Sequence, residues 1–258
     1  MVPAVAAEAE PVGLELYTVR SLAEQDLLGT LGMVAGIGYR EVEFAGYFGH
    51  DPKAIRARLD GLGLSAPAAH IALTELQQRL PAVIEAALVI GHRYVVMPYL
   101  SDAQRAGGID TYYRLAEFLN GASEQLRAEG LHLAYHNHAF EFETVDGELP
   151  YDVLLNECEP ENLIMEMDLY WVHKAGFSAQ AYFDRFPGRF QLWHVKDSTA
   201  DGDFADVGDG VIDFPAIFAK RDVAGLRHCI VERDVTDDLQ RTLATGYSST
   251  RELLNSST

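Results

Sequence analysis

Short apolar runs alternate with helix-length amphipathic stretches along this 258-residue chain, and this alternation restricts the fold more than any other feature. Ordinary boundary signals separate the stretches: Asp51 and Pro52 are typical of a helix start, and Gly130 follows a long helical pattern. Strands that alternate with helices usually form one parallel sheet, and about 250 residues is the usual size of an eight-stranded barrel. We therefore predict an α/β fold, a single (β/α)8 TIM barrel over residues 12–258.

The pattern places eight strands and eight helices on the sequence. The predicted strands are Val12–Thr18, Arg40–Phe44, Leu64–Ile71, Tyr94–Pro98, Leu131–Tyr135, Leu163–Asp168, Phe190–Val195 and His228–Glu232. The predicted helices are Leu22–Ile37, Asp51–Gly61, Leu80–Ile90, Ile109–Glu129, Asp152–Cys158, Ala179–Phe186, Phe214–Lys220 and Leu239–Leu254. A doubly wound open sheet is the alternative, but it would need a glycine-rich phosphate turn after the first strand. The segment Tyr17-Thr-Val-Arg20 contains no glycine.

Composition and charge restrict the classes of molecule that this chain can bind. Hydrophobic residues make up 48% of the chain, and 39 acidic residues against 20 basic ones give a formal net charge of −19. Binding to nucleic acid or to anionic membranes depends on clustered lysine and arginine, so we expect neither partner. No apolar run approaches the ~20 residues that span a bilayer. The two cysteines, Cys158 and Cys229, lack CxxC spacing and are interpreted as buried thiols.

The first eleven residues are rich in alanine and are predicted to be a disordered tail. They contain neither a basic start nor a long apolar segment, so they do not form an intact signal peptide. We expect a cytoplasmic protein, and an exported, periplasmic protein whose signal has been removed is the alternative.

Side chains of metal-ligand type collect where four consecutive predicted strands end. The run His136-Asn-His138 and Glu141 follow the fifth strand, and the next three strands end in Asp168, His194 and Glu232. The carboxyl ends of barrel strands meet at the mouth, where barrel enzymes place their sites. Imidazoles together with two carboxylates suit Mn²⁺, Co²⁺, Fe²⁺ or Zn²⁺ better than Mg²⁺. The pattern predicts a metal site at the mouth, and a salt bridge is the alternative for each carboxylate.

Six segments resemble those of a known family, the sugar phosphate isomerase/epimerase group with a xylose-isomerase-like TIM barrel. This group also includes ketose 3-epimerases, inosose-processing enzymes and endonuclease IV. The resemblance extends over Gly13–Leu254. The segments that carry it are Gly13-Leu-Glu-Leu-Tyr-Thr-Val-Arg20, Tyr135-His-Asn-His-Ala-Phe-Glu-Phe142, Met167-Asp-Leu-Tyr-Trp171, Trp193-His-Val-Lys-Asp197, Gly208-Asp-Gly-Val-Ile-Asp-Phe214 and Ile230-Val-Glu-Arg-Asp234.

The resemblance implies one divalent metal, with Mn²⁺ expected first and Co²⁺, Fe²⁺, Zn²⁺ or Mg²⁺ also open. The family holds its metal with Glu, Asp, His and Glu from strands five to eight. Asp168, His194 and Glu232 match the last three, whereas His136 stands where the strand-five Glu is expected. In the ketose epimerases the two glutamates are also the acid/base pair. This chain would therefore use Glu232 with either His136 or Glu141.

The resemblance also implies positions that contact substrate. Glu43 and His70 end the second and third strands, where the family often contacts sugar hydroxyls, and His138 ends the fifth. Trp171 and Tyr17 are candidates for an apolar platform beneath a sugar ring. For the carboxylate and the histidines the alternative is a salt bridge, and for the aromatic residues it is ordinary packing.

The sequence leaves open the direction in which two further charged side chains point. Lys196 follows His194 by two residues and is expected to face away from the barrel interior on strict alternation, unless the strand ends early and lets it turn into the mouth. A lysine there would stabilise an enolate oxygen. Glu15, on the first strand, is a candidate for the barrel interior.

We therefore expect a metal-dependent isomerase or epimerase that acts on a non-phosphorylated keto-sugar or polyol through an enediolate. A lyase or dehydratase of a 3-keto-sugar or inosose is the first alternative, and a non-catalytic sugar-binding barrel is the second. The loop Asp206-Val-Gly-Asp-Gly210 is acidic, which opposes a phosphate-bearing substrate. Homo-oligomerisation stays open.

Overall fold

Eight parallel strands close into a barrel in the computed structural model, which describes residues 10–256. The ten strands of the described chain are β1 Val12–Glu15, β2 Glu41–Phe44, β3 Ser65–His70, β4 Tyr94–Met97, β5 His132–His136, β6 Ile164–Asp168, β7 Leu192–Val195, β8 Asp197–Ser198, β9 Phe204–Ala205 and β10 His228–Val231. Strands β1 to β7 follow one another around the barrel, and β10 pairs with both β7 and β1 to close it. The predicted fold class is confirmed. Most of the predicted N-terminal tail lies outside the described residues.

Helices follow the barrel strands and surround the sheet. They are α1 Arg20–Ile37, α2 Pro52–Leu62, α3 Leu73–Ile90, α4 Asp102–Arg105, α5 Asp110–Ala128, α6 Pro150–Glu157, α7 Leu169–Lys174, α8 Ala179–Arg185, α9 Phe214–Phe218, α10 Arg221–Ala224 and α11 Leu239–Ser256, with short 3-10 turns at Leu16–Val19 and Phe140–Phe142. Within residues 10–256, none of these helices is both long enough and apolar enough to cross a membrane.

The core has two parts because strand side chains alternate between the two faces of the sheet. On β6, for example, Met165 and Met167 belong to the large apolar layer beneath the helices. Ile164, on the opposite face, belongs to a smaller cluster inside the barrel. The alternation therefore turns Glu166 and Asp168 toward the barrel axis as well. The interior is apolar in its middle and polar toward its carboxyl end.

Several local features differ from the prediction, among them the three short helices α4, α7 and α10, which were not predicted. Helix α3 begins at Leu73 rather than at Leu80, and it is kinked at Arg79, whose φ of −138° is not helical. Pro81 explains the kink because it has no backbone N–H to continue the helical bonding. Strand β1 ends at Glu15, before the predicted Thr18, because the chain turns into a 3-10 helix. The antiparallel pair of β8 and β9 was not predicted.

Candidate active site

Four of the predicted ligand side chains meet at the carboxyl end of the barrel. His136 and Asp168 are the last residues of β5 and β6, His194 lies in β7, and Glu232 directly follows β10. Strand pairing sets Asp168 beside His194. Each of the four residues offers one ligand atom, and these atoms all lie within 4.8 Å of one another. We call these four residues the mouth group.

The tautomer of His136 suits a metal ligand. Its Nδ1 lies 3.3 Å from the carbonyl oxygen of Pro98, which can only accept a hydrogen bond. The proton is therefore assigned to Nδ1, and the lone pair of Nε2 points toward Asp168, whose Oδ2 is 3.4 Å away. Nε2 is buried and has no hydrogen-bond partner among the described residues. Burial lowers the pKa of His136, which keeps the imidazole neutral.

A divalent cation fits this group of residues. Two imidazoles and two carboxylates form a mixed nitrogen and oxygen donor set, and all four residues are at most 5% exposed. The free Nε2 of His136 supplies the unsatisfied buried atom that a ligand would use. Such a set suits Mn²⁺, Co²⁺, Fe²⁺ or Zn²⁺.

Lys196 points into the mouth of the barrel, which was the alternative to the outward orientation expected from strict alternation. Residues two apart on a strand face the same side, so Lys196 follows His194 toward the mouth. Its Nζ lies 2.9 Å from Asp168 Oδ2, 2.7 Å from Glu232 Oε2 and 2.7 Å from Asp234 Oδ1. The sequence analysis did not identify Asp234 as part of the site. The spacing of two residues from Glu232 could have identified it.

The buried charges around Lys196 set one another's ionisation. Burial alone would lower the pKa of Lys196, but Asp168 and Glu232 raise it well above its usual value. Burial alone would raise the pKa of Glu232, yet Lys196 and His194 hold it well below the ordinary range. The pKa of Asp168 falls to about 2 because Lys196 outweighs burial. Near neutral pH, Asp168 and Glu232 are therefore ionised and Lys196 is protonated.

A second polar layer lies beneath the mouth group. We call its members, Glu15, Glu43, His70 and Glu166, the inner cluster. His70 Nε2 lies 2.8 Å from Glu166 Oε2 and 3.5 Å from Glu43 Oε1, and His70 Nδ1 lies 3.9 Å from Glu15 Oε1. The three glutamates have no solvent exposure. Glu15 therefore points into the barrel, as its position on the first strand suggested.

His194 joins the two layers. Its Nδ1 faces Glu232 Oε2 at 2.8 Å, while its Nε2 lies 2.6 Å from Glu43 Oε2 and 3.3 Å from Glu166 Oε2. A carboxylate on the far nitrogen of a histidine fixes its orientation and its tautomer, an arrangement common behind metal-ligating histidines. Glu43 therefore occupies a different place from the one expected, because it supports His194 instead of lining the cavity.

Glu166 is the principal member of the site that sequence reasoning missed. Only the last residue of the sixth strand, Asp168, was considered as a functional residue. Glu166 precedes it by two positions, so the same alternation that turns Asp168 inward also turns Glu166 inward. A glutamate on the inward face of a buried strand needs a partner, and His70 is that partner.

Glu141 lies away from the mouth group, contrary to the expectation that it could swing in. Its carboxylate accepts hydrogen bonds of 2.7 Å from the hydroxyl of Tyr135 and 2.7 Å from the backbone N–H of His138. Tyr135 faces the apolar layer beneath the helices. Glu141 is fully buried, and burial raises its pKa to about 7.

A cavity of about 1000 Å³ opens from the site. Its inner end is lined by Tyr17, His70, His136, His138, Lys196, Glu232 and Asp234. Tyr17, at 42% exposure, is accessible to a ligand. Trp171 is not part of this wall: it packs against His138, with ring centroids 5.3 Å apart. Of the two predicted platform residues, the structure brings only Tyr17 to the cavity.

The comparisons with known proteins agree with the barrel and with the resemblance. A family model described as xylose isomerase-like TIM barrel matches residues 31–245, and the chain belongs to this family. The inosose dehydratase of Geobacillus kaustophilus (strain HTA426) is 25% identical over 229 residues and covers 74% of each chain.

Solved structures share the fold over nearly the whole chain. A sugar phosphate isomerase/epimerase from Parabacteroides distasonis ATCC 8503 superposes with a TM-score of 0.80, at 23% identity over 96% of both chains. The IOLI protein, whose structure contains a bound zinc atom, superposes with a TM-score of 0.74 at 15% identity, over 96% of this chain and 99% of that one.

Proposed function

We propose that the protein is a divalent-metal-dependent isomerase or epimerase of a non-phosphorylated keto-sugar, acting through an enediolate. The observation that carries this proposal is the mouth group, which sets two imidazoles and two carboxylates beside Lys196 at the polar end of a large cavity. The family membership supports the class of reaction.

His136, Asp168, His194 and Glu232 would hold the metal. Mn²⁺ is the first candidate, and Co²⁺, Fe²⁺, Zn²⁺ and Mg²⁺ are the others; the zinc in the IOLI structure supports a transition metal. When bound, such a cation would act as a Lewis acid on adjacent oxygens of a hydroxy-ketone and make the neighbouring C–H more acidic.

Proton transfer falls to Glu232 and Lys196. Both residues line the cavity, and their charged groups are 2.7 Å apart. Glu232 would remove the proton from the carbon beside the carbonyl and return it to the neighbouring carbon, which gives isomerisation, and Lys196 would donate a hydrogen bond to the oxygen on which negative charge develops. His136 cannot share this work while it is a ligand, because Nδ1 faces Pro98 and Nε2 would be occupied.

A substrate without phosphate is supported by the loop at residues 206–210. The backbone N–H groups of Gly208 and Gly210 donate to Asp197 Oδ2 at 2.9 and 3.0 Å. Backbone N–H groups of this kind form phosphate cradles in other proteins, and here a carboxylate of the chain itself uses them. Arg233 and Arg241 do not offer a phosphate site either, because both form ion pairs with the buried Asp206.

Elimination is a second candidate, and one observation favours it. The second acid/base carboxylate of the ketose epimerases is replaced by His136, and Glu141 is held by Tyr135. One base and one acid, Glu232 and Lys196, are enough to remove a C–H proton and to protonate a leaving hydroxyl group. The relative named inosose dehydratase supports this reaction for a keto-sugar or an inosose.

The test is an NMR screen of keto-sugars and inososes in D₂O with Mn²⁺. We expect deuterium to enter beside the carbonyl together with the epimer or the isomer, and Glu232→Gln should slow this exchange by ~10²–10⁴-fold. A new C=C bond with loss of a hydroxyl group would instead establish the lyase. Metal and sugar binding with neither reaction would indicate the sugar-binding barrel, and undiminished exchange in Glu232→Gln would remove that residue from the base role.

A further inference from the structure

The cavity is larger than a single sugar ring requires. Its volume of about 1000 Å³ lies at the upper end of the ~300–1,000 Å³ typical of sites that bind drug-sized ligands, and a hexose is much smaller. The cavity extends from Lys196 and Glu232 to the space between residues 45–52 and helix α3. We call this distal part the outer groove; its apolar walls are Phe48, Pro52, Ile71, Ala82, Val83 and Ala86.

The two ends of the cavity differ in chemistry. Around Lys196 and Glu232 the inner end holds histidines and carboxylates, which match a hydroxylated ring. The outer groove presents the rings of Tyr47 and Phe48, aliphatic side chains and four alanines, at positions 45, 72, 82 and 86, and small side chains leave room for a ligand. Its ionisable members are Tyr47, His50, Glu75 and Arg79, and the two charged ones, Glu75 and Arg79, are exposed. A free sugar would leave these apolar walls in contact with water.

Phe48 adds an unusual feature to the groove. Its φ of 51° lies in the left-handed region, which is unfavourable for a residue with a bulky side chain, and Gly46 and Gly49 on either side also have positive φ. Such strain persists where the surroundings specify it, and it is common at ligand-binding sites. The two glycines allow the loop to present Phe48 to the cavity at this point.

On these observations, and resting on the proposed function, we infer that the natural substrate is a keto-glycoside whose apolar, aromatic aglycone occupies the outer groove. The sugar ring would lie at the mouth group and the aglycone along Phe48, Ile71 and Ala82. The continuity of the cavity favours this occupant over a second copy of the chain, because a group attached to a ring beside Glu232 extends directly into the groove. Burial of apolar surface would supply affinity that a methyl glycoside cannot obtain.

The test compares the phenyl and methyl glycosides of 3-keto-glucose, with Kd measured by calorimetry on the Mn²⁺-loaded protein. We expect the phenyl glycoside to bind at least 10-fold more tightly. Ala82→Trp should fill the groove and remove this preference while leaving the methyl glycoside within 2-fold. The control Leu88→Trp adds the same side chain to α3 at a position that is 47% exposed and outside the cavity wall, and it should retain the preference.

Three outcomes would overturn the inference. Equal affinity of the two glycosides would show that the groove does not recognise the aglycone. A preference that survives in Ala82→Trp would place the phenyl group elsewhere. If Ala82→Trp changes only the oligomeric state in gel filtration, the groove is an interface between copies. Deuterium exchange, measured in parallel, separates these results from failure of the proposed reaction, because binding is measured independently of turnover.

Discussion

Glu43 Oε2 lies 2.6 Å from His194 Nε2, so the imidazole that faces the mouth group through Nδ1 is held from behind by a carboxylate of another strand. Neither side chain has measurable solvent exposure. The pair therefore fixes the ring orientation of His194 before any ligand binds.

This pairing predicts the effect of Glu43→Gln on metal binding. A neutral amide does not balance the charge of the histidine as a carboxylate does. Loss of such a carboxylate partner typically lowers metal affinity by ~10–100-fold. The measurement is Mn²⁺ titration by calorimetry. Glu41→Gln is the matched control: Glu41 lies two residues earlier on β2 and pairs with His228, Nδ1 to Oε2 at 2.9 Å. Equal losses in both variants would contradict a specific role for Glu43.

His136 can be tested by two substitutions. We expect His136→Ala to weaken Mn²⁺ binding by at least ~10-fold, because it removes one of the four proposed ligands. His136→Glu should retain binding, since it restores the ligand type that the family has at this place. The measurement is the Mn²⁺ affinity of both variants by calorimetry. Unchanged affinity in His136→Ala would make His136 a contact for substrate instead of metal.

Lys196→Met should destabilise the metal-free protein by ~3–5 kcal/mol, because the buried carboxylates of Asp168 and Glu232 then lose their ammonium partner. Mn²⁺ would supply positive charge at the same place, so the loss should shrink when metal is added. Urea denaturation with and without Mn²⁺ measures both effects. An equal loss in the two conditions would mean that the metal binds away from these carboxylates.

Glu141 predicts a pH dependence of stability. Burial raises its pKa to about 7, so between the ordinary glutamate pKa and about 7 the folded chain keeps a proton that the unfolded chain has lost. The contribution of this residue to stability therefore falls as pH rises through that window and is level above it. The fall amounts to roughly 3 kcal/mol, at ~1.4 kcal/mol for each pKa unit.

Glu141→Gln removes this titration. Urea denaturation between pH 5 and pH 8 should show the stability of the original protein decreasing relative to Glu141→Gln as pH rises. The control is Glu143→Gln, because Glu143 is exposed and two residues away. Parallel profiles for the original protein and Glu141→Gln would contradict the buried, protonated state.

The barrel and the positions of three members of the mouth group can be predicted from the sequence, because they depend on local patterns. Asp168, His194 and Glu232 close apolar runs, and in a parallel barrel the ends of such runs meet. Alternation with a period of two also implies that Glu166 and Lys196 face inward. For Lys196 the alternation must be continued past Val195, the last residue of β7.

Other features depend on contacts that the sequence does not display. Glu141 is held by the hydroxyl of Tyr135, which is six residues away and lies on the outer face of β5. The support of His194 by Glu43 joins residues 151 positions apart. The start of α3 at Leu73 depends on a kink that lets the helix continue past Pro81. In each case tertiary packing decides among local alternatives that have similar propensity.

The carboxylate of Asp197 closes the loop at residues 206–210 to other anions. Because it is tethered to the loop that it fills, it competes with any incoming phosphate ester at a fixed intramolecular effective concentration, which for short tethers reaches at least the mM range. A phosphorylated sugar present at metabolite levels would have to displace a group that never diffuses away. The backbone N–H groups of Gly208 and Gly210 are therefore occupied by a group of the chain itself, and another anion would gain them only after Asp197 leaves.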